Sequence, residues 1–182
     1  LQLNGIDVAI NQFITADDIN TGKLVFIPNT NFNGAANFQY QVSDGTFFSN
    51  NAIVSIAVGA VNDAPVALND VIYGQEDTPI GITAAALFGA DGTGFTNDYD
   101  IDSNAFTKIK ITQLSANGIF TLNGVVVTQG QEIPVSALDG SQLLFRPYAN
   151  FNGDTTFKYQ VNDGALYSNE ATATLTLASV ND

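Results

Sequence analysis

An all-β fold of the sandwich class is predicted for this chain, and three observations predict it. Short runs rich in β-branched and aromatic residues recur along the whole length, several of them alternating with period two. Between the runs lie Asn-Gly, Asp-Gly and Pro punctuators, spaced roughly ten residues apart as in sandwiches of short strands. No long segment carries the 3.6-residue period of an amphipathic helix.

In chain order, the strand-forming runs are Leu24-Val25-Phe26-Ile27, Phe38-Gln39-Tyr40-Gln41-Val42 and Ile53-Val54-Ser55-Ile56-Ala57-Val58. They are followed by Lys108-Ile109-Lys110-Ile111, Phe157-Lys158-Tyr159-Gln160-Val161 and Thr172 to Leu177. The alternation in Phe38/Tyr40 and Phe157/Tyr159 points both aromatic pairs to one face of a sheet, which reads as core. Asp17-Asp18 and Asp91-Gly92 read as turn residues with no further role. Ala84 to Thr96, Gly-rich and poor in charge, reads as a surface insertion and is the one stretch that looks like a specialised loop.

The chain contains an internal repeat. Residues 1–63 align without a gap on residues 120–182, and 25 of the 63 pairs are identical. Shared elements include Leu3-Asn4-Gly5 with Leu122-Asn123-Gly124, Phe26 and Pro28 with Phe145 and Pro147, and Asn31-Phe32-Asn33-Gly34 with Asn150-Phe151-Asn152-Gly153. Asp44-Gly45 recurs as Asp163-Gly164, and Val61-Asn62-Asp63 as Val180-Asn181-Asp182. One full repeat is therefore expected over 64–182, with 1–63 as the C-terminal half of a preceding one. Half a sandwich leaves strand edges and a core face bare. A longer protein, the second repeat or strands from a neighbouring copy would have to cover them.

Composition excludes several functions. Eighteen Asp and Glu against five Lys and Arg give a net charge of -13, which repels nucleic acid and anionic membranes and attracts cations. The absence of Cys and His removes disulfides, thiol and imidazole chemistry and soft metal sites, so only oxygen ligands remain. No apolar run approaches the ~18 residues that span a bilayer, and no signal peptide is present. Any targeting signal is expected elsewhere in a longer precursor.

Taken together, the Phe-x-Pro, the Asn-Phe-Asn-Gly, the Phe-x-Tyr-x-Val-x-Asp-Gly strand end, the Ser-Asn-x-Ala strand start and the closing Val-Asn-Asp-Ala-Pro-Val-Ala resemble one family. It is that of the cadherin-like tandem repeats, of the VCBS or tandem-95 type, in large bacterial surface adhesins. The resemblance covers 64–182 and the half repeat before it. It implies tandem Greek-key β-sandwiches of cadherin/immunoglobulin type, joined by short Ca2+-binding junctions, in secreted or cell-surface proteins.

The densest acidic stretch is Asp98-Tyr99-Asp100-Ile101-Asp102. On a regular strand these three carboxylates would share a face and repel, so a loop wrapped round a cation is the better reading. Calcium takes six to eight hard oxygens. An EF-hand is excluded, because Ser103 stands where the turn Gly belongs and Ile109 where the bidentate Glu belongs. The resemblance implies that Asp98, Asp100 and Asp163 join linker residues Asn62 and Asp63 in one site between the half repeat and the full one, and Asp102 is a further candidate ligand as the third acid of the stretch. It likewise implies that Glu76 acts with Asn181 and Asp182 at the next junction, and that Asp44 is the strand-end acid of the first copy.

The expected function is thus a non-enzymatic, calcium-stiffened extender. Its expected partners are neighbouring repeats or copies of the same protein, with glycans or another cell surface reached through other domains. Two alternatives stay open: a filament or surface-layer subunit assembled by strand exchange, and a calcium-dependent glycan- or surface-binding module. A glycoside hydrolase is disfavoured, since the carboxylates cluster in one loop and no Trp platform exists.

Overall fold

The computed structural model describes residues 1–89 and 98–181. The chain forms two compact units, Leu1–Val61 and Asn62–Asp182. The division falls just before Asn62 because Asn62 and Asp63 bond to Asp163 and Asp102 of the second unit.

In the first unit, β1 (Gln2–Leu3) pairs with β2 (Ile6–Asp7) across Asn4-Gly5, and also with β3 (Leu24–Val25). Asn4 and Gly5 both have positive φ, 51° and 78°, the requirement of a two-residue hairpin turn whose twist suits antiparallel strands. Before β3 lies α1 (Ala16–Asn20), capped by the Thr15 hydroxyl on the Asp18 N–H. Asp17 and Asp18, expected in a turn, occupy its first helical turn, where acids complement the exposed N–H groups. A long hairpin, β4 (Gly34–Tyr40) with β5 (Ala52–Val58), completes this unit. No residue of Leu1–Val61 is fully buried.

The second unit is a two-sheet sandwich. Its strands are β6 (Asp70–Gln75), β7 (Ile80–Gly81), β8 (Lys108–Gln113), β9 (Gly118–Leu122), β10 (Val125–Val126), β11 (Glu132–Pro134), β12 (Leu143–Pro147), β13 (Gly153–Asn162) and β14 (Ala171–Ala178). Two short helices, α2 (Ala84–Phe88) and α3 (Val135–Asp139), connect them. Ala84 to Phe88, read from sequence as part of an insertion loop, is helical and places Leu87 in the core; residues 90–97 of that stretch lie outside the described residues.

One sheet runs β10-β9-β12-β7 and the other β11-β8-β13-β14-β6. All the pairings are antiparallel except β14 with β6, so the last strand lies parallel to the first and closes a Greek-key-type arrangement. Inward residues of the two sheets meet in an aromatic stack. Phe120 of β9 stands 4.9 Å, centroid to centroid, from both Phe145 of β12 and Phe157 of β13, and Phe157 continues to Tyr159 at 6.1 Å. Such pairs add about 0.5–1.5 kcal/mol each beyond their area burial. Ile109, Ile111, Ile133, Leu143 and Leu175 fill the core around them. The strict alternation of buried and partly exposed residues along β14 shows why period two was the right signal.

Candidate metal centre

The linker and the acidic loop meet at the start of the second unit. Val66 and Tyr99 form an isolated antiparallel bridge through both main-chain hydrogen bonds, 2.8 and 3.1 Å, which brings residues 98–104 alongside the chain entering the sandwich. Asp100 then organises the turn: its Oδ1 accepts from the Asp102 N–H at 2.8 Å and the Asn104 N–H at 3.3 Å. Asp102 Oδ2 accepts the Asp63 N–H at 2.7 Å. Asn62 bridges outward, its Nδ2 donating to Asp163 Oδ2 at 2.8 Å while its Oδ1 accepts from Asn104 Nδ2 at 2.5 Å.

Asp163 is delivered by the end of β13. Its Oδ1 accepts the Ala165 and Leu166 N–H groups, both at 2.7 Å, which fixes the tight turn through Gly164 (φ 106°). The Asn62 amide first, and then these N–H groups, hold the Asp163 carboxyl below the usual carboxylate range, so it is ionised at neutral pH. Asn62, Asp63, Asp100, Asp102 and Asp163 are therefore joined in one hydrogen-bonded network.

Asp98 has other neighbours. It is buried, with Oδ1 accepting the Leu68 N–H at 2.7 Å and Oδ2 facing the Tyr159 hydroxyl at 3.4 Å. Tyr159 is fully buried and donates to Asp70 Oδ2 at 2.5 Å. Burial pushes the Asp98 carboxyl up to about 6 in spite of those two hydrogen bonds, and burial beside Asp98 and Asp70 raises the Tyr159 phenol. Asp98 thus faces the core tyrosine, whereas Asp102 bonds the linker at Asp63 and Asp100 braces the turn that carries Asp102.

At the far end, Glu76 is buried with both carboxylate oxygens engaged: Oε2 by Asn152 Nδ2 at 3.0 Å, Oε1 by the Val180 N–H at 2.7 Å. These bonds, the Asn152 one foremost, hold the Glu76 carboxyl below the usual carboxylate range. Glu76 therefore meets the chain next to Asn181, which is exposed; Asp182 lies outside the described residues. Asp44 belongs to the first unit, where its Oδ1 accepts the Phe47 and Thr46 N–H groups at 2.9 and 2.8 Å, the same turn that Asp163 makes. Those bonds, Phe47 first, hold its carboxyl below the usual range.

Three participants were not read from sequence. Asn152 and Asn169 sit inside repeated motifs, so the repeat itself was their available signal. The Asn169 side chain clamps Ala67, accepting its N–H at 3.0 Å and donating to its C=O at 2.7 Å. Asn104 carries no such signal, because its half of the repeat occurs once in the chain.

The linker network fits a hard cation on one specific count. Asp100 Oδ2 is buried and, among the described residues, has no hydrogen-bond partner. The hydrogen-bonded network it belongs to is made of carboxylates, side-chain amides and main-chain N–H groups. Among the described residues, no three carboxylates converge closely enough to hold an ion as they stand. No described helix is long and apolar enough to cross a membrane.

A search of curated proteins finds no match. A family model described as a cadherin-like domain matches residues 1–59 and again 61–178. Domains of this type are extracellular, structural or adhesive rather than catalytic, and generally bind calcium. With both matches spanning nearly the whole chain, and with a sandwich closed by a parallel first and last strand, the protein belongs to the cadherin-like domain family.

Proposed function

We propose that this chain is a calcium-stiffened extender segment of a secreted or cell-surface bacterial adhesin, built from tandem repeats of the VCBS type. In this reading 64–182 is a complete repeat and 1–63 the C-terminal half of another. Neighbouring repeats are its direct partners, and any glycan or cell surface is reached through other domains. The observation that carries the reading is Asp100 Oδ2, a buried carboxylate oxygen lacking a partner inside a network that ties linker residues Asn62 and Asp63 to Asp102 and Asp163.

Asp63, Asp100, Asp102 and Asp163 would hold the ion, with the amide oxygens of Asn62 and Asn104 completing the set. Calcium supplies two positive charges and accepts several hard oxygens at once. The residues supply the rest. Asp163 is locked to the end of β13 by the Ala165 and Leu166 N–H groups, so a linker bonded to it inherits the orientation of the sheet. Drawing these carboxylates together round an ion would fix the linker, and without the ion their like charges oppose that approach. At -13 overall, the molecule also concentrates cations around itself.

The test is a calcium titration of the full chain, following melting temperature and maximum dimension by small-angle scattering, with Asp100→Asn alongside. Calcium at roughly 10⁻⁴–10⁻³ M, the range of extracellular modules, should raise the melting point of wild type by several degrees and lengthen the particle. Asp100→Asn should blunt both responses. If chelator changes neither quantity in wild type, the calcium reading is wrong.

A further inference from the structure

The outer face of the four-stranded sheet carries a cleft that none of the carboxylate networks uses. Along β9 and β12, Phe120 and Phe145 point into the core and are buried, so their chain neighbours Ile119 and Arg146, which are register partners, stand on the opposite face. Together with Pro147, Tyr148 and the turn at Asp77-Thr78 they line a cleft of about 380 Å³. Main-chain bonds fix both sides of it. The Tyr148 N–H donates to the Asn117 carbonyl at 2.9 Å, and the Asn150 N–H donates to Asp77 Oδ1 at 3.0 Å.

Arg146 is the single arginine of the chain. Lys23, Lys108 and Lys158 are each paired with a carboxylate, whereas among the described residues the Arg146 guanidinium has no ion pair. The internal repeat isolates this feature. Phe26, Pro28 and Asn31 recur as Phe145, Pro147 and Asn150, but Ile27 and Asn29 stand where the second copy has Arg146 and Tyr148. The frame at the end of β12 is thus common to both copies, and the arginine-tyrosine pair is particular to this one. Core packing does not account for the pair, since Arg146 is exposed and Tyr148 is 55% exposed.

We propose that this cleft binds a sugar bearing one carboxylate, of the uronic-acid class. A guanidinium presents two parallel N–H groups that match a carboxylate. The Tyr148 ring and Ile119 offer apolar surface to the C–H face of a pyranose, and the Thr78 hydroxyl can donate to or accept from a sugar hydroxyl. Asp77 Oδ2, without a hydrogen-bond partner among the described residues, accepts from another. The volume lies at the low end for small-molecule sites, which suits a mono- or disaccharide. A phosphate is a poorer occupant, because Asp77 and the overall charge of -13 oppose a second negative charge. The site uses no linker acid. It adds to the extender reading, in which the gripped surface is reached through other domains, a ligand held on the extender itself.

The experiment titrates the isotope-labelled full chain with methyl glucuronide, methyl glucoside and acetate, in chelator so that the calcium reading is not involved, and follows amide shifts by NMR. Methyl glucuronide should give saturable shifts at residues 77–79 and 146–149, with an affinity about tenfold or more above that of the glucoside, the weight of one charge-assisted hydrogen bond. Acetate should bind the same place far more weakly than the glucuronide. Arg146→Gln should bring the two glycosides to equal affinity, and Tyr148→Ala should weaken both, with unchanged melting temperatures showing that the fold is intact. The proposal is overturned if the glucuronide gives no saturable shift in the cleft, if the glucoside binds equally well, if acetate matches the glucuronide, or if Arg146→Gln keeps the preference.

Discussion

Asp98 is held between burial, which disfavours its charge, and two donors, the Leu68 N–H and the Tyr159 hydroxyl, which favour it. Burial wins and lifts the carboxyl to about 6. The folded state therefore keeps a proton there that the unfolded chain has released above roughly pH 4. The associated stability is fully present below that point and is lost as pH rises through about 6. Asp98→Asn keeps an acceptor for Leu68 but does not titrate. In urea denaturation, the stability of wild type relative to this variant should fall between about pH 4 and 6 and level off above; parallel profiles would refute the assignment. That Asp98 is a core group could not be read from the sequence, where three Asp at alternate positions look alike. The Leu68 N–H and the Tyr159 hydroxyl, brought from 30 and 61 residues away, distinguish it from Asp100.

At the scale of elements, the parallel pair β6–β14 closes the sandwich, and two asparagines pin its start. Asn169 clamps both main-chain groups of Ala67, and Asn69 Oδ1 accepts the Thr172 N–H at 2.8 Å. Asn169→Ala should lower unfolding stability by about 1–3 kcal/mol with little change in the denaturant slope, because it strands buried main-chain groups without altering the fold. Strand β9 depends on a different constraint. A Cβ at Gly118 would fall 2.4 Å from Phe145 Cζ and 2.5 Å from the Arg146 carbonyl oxygen, and main chain cannot yield. Gly118→Ala should cost about 1–3 kcal/mol, measured by thermal and chemical denaturation, whereas Gly81→Ala, with open space around its Cβ, should stay within about 0.5 kcal/mol. The expected runs fall on β3, β4, β5, β8, β13 and β14, of which β5, β8, β13 and β14 extend them by one to five residues, while strands such as β6, β9 and β12 were not among them. Two expected runs overshoot: Phe26-Ile27 follow a strand that ends at Val25, and Gln41-Val42 one that ends at Tyr40.

For the whole molecule, the same repeated sequence occupies two environments. Phe157 and Tyr159 lie in a closed core, while Phe38 and Tyr40 line a sheet with no residue fully buried. Local opening needs little when few apolar contacts are lost. Amides of β4 and β5 should therefore exchange at least tenfold faster than those of β13 and β14 in the isolated chain; equal protection would mean that the first unit is as well packed as the second. The excess of negative charge adds a salt dependence, since like charges on a compact body are screened by added ions.

The sequence by itself determined the all-β class, six of the strands, the turns at Asn-Gly and Asp-Gly, and the repeat, because each depends on neighbours within a few residues or on self-comparison. Tertiary structure alone decided which groups each acid bonds to, since carboxylates are chemically identical until distant partners such as Tyr159, Asn152 and Val180 single them out. It also decided which copy of one motif is core and which is surface. Burial belongs to the covering strands β6 and β8, and no property of the covered hairpin encodes their presence.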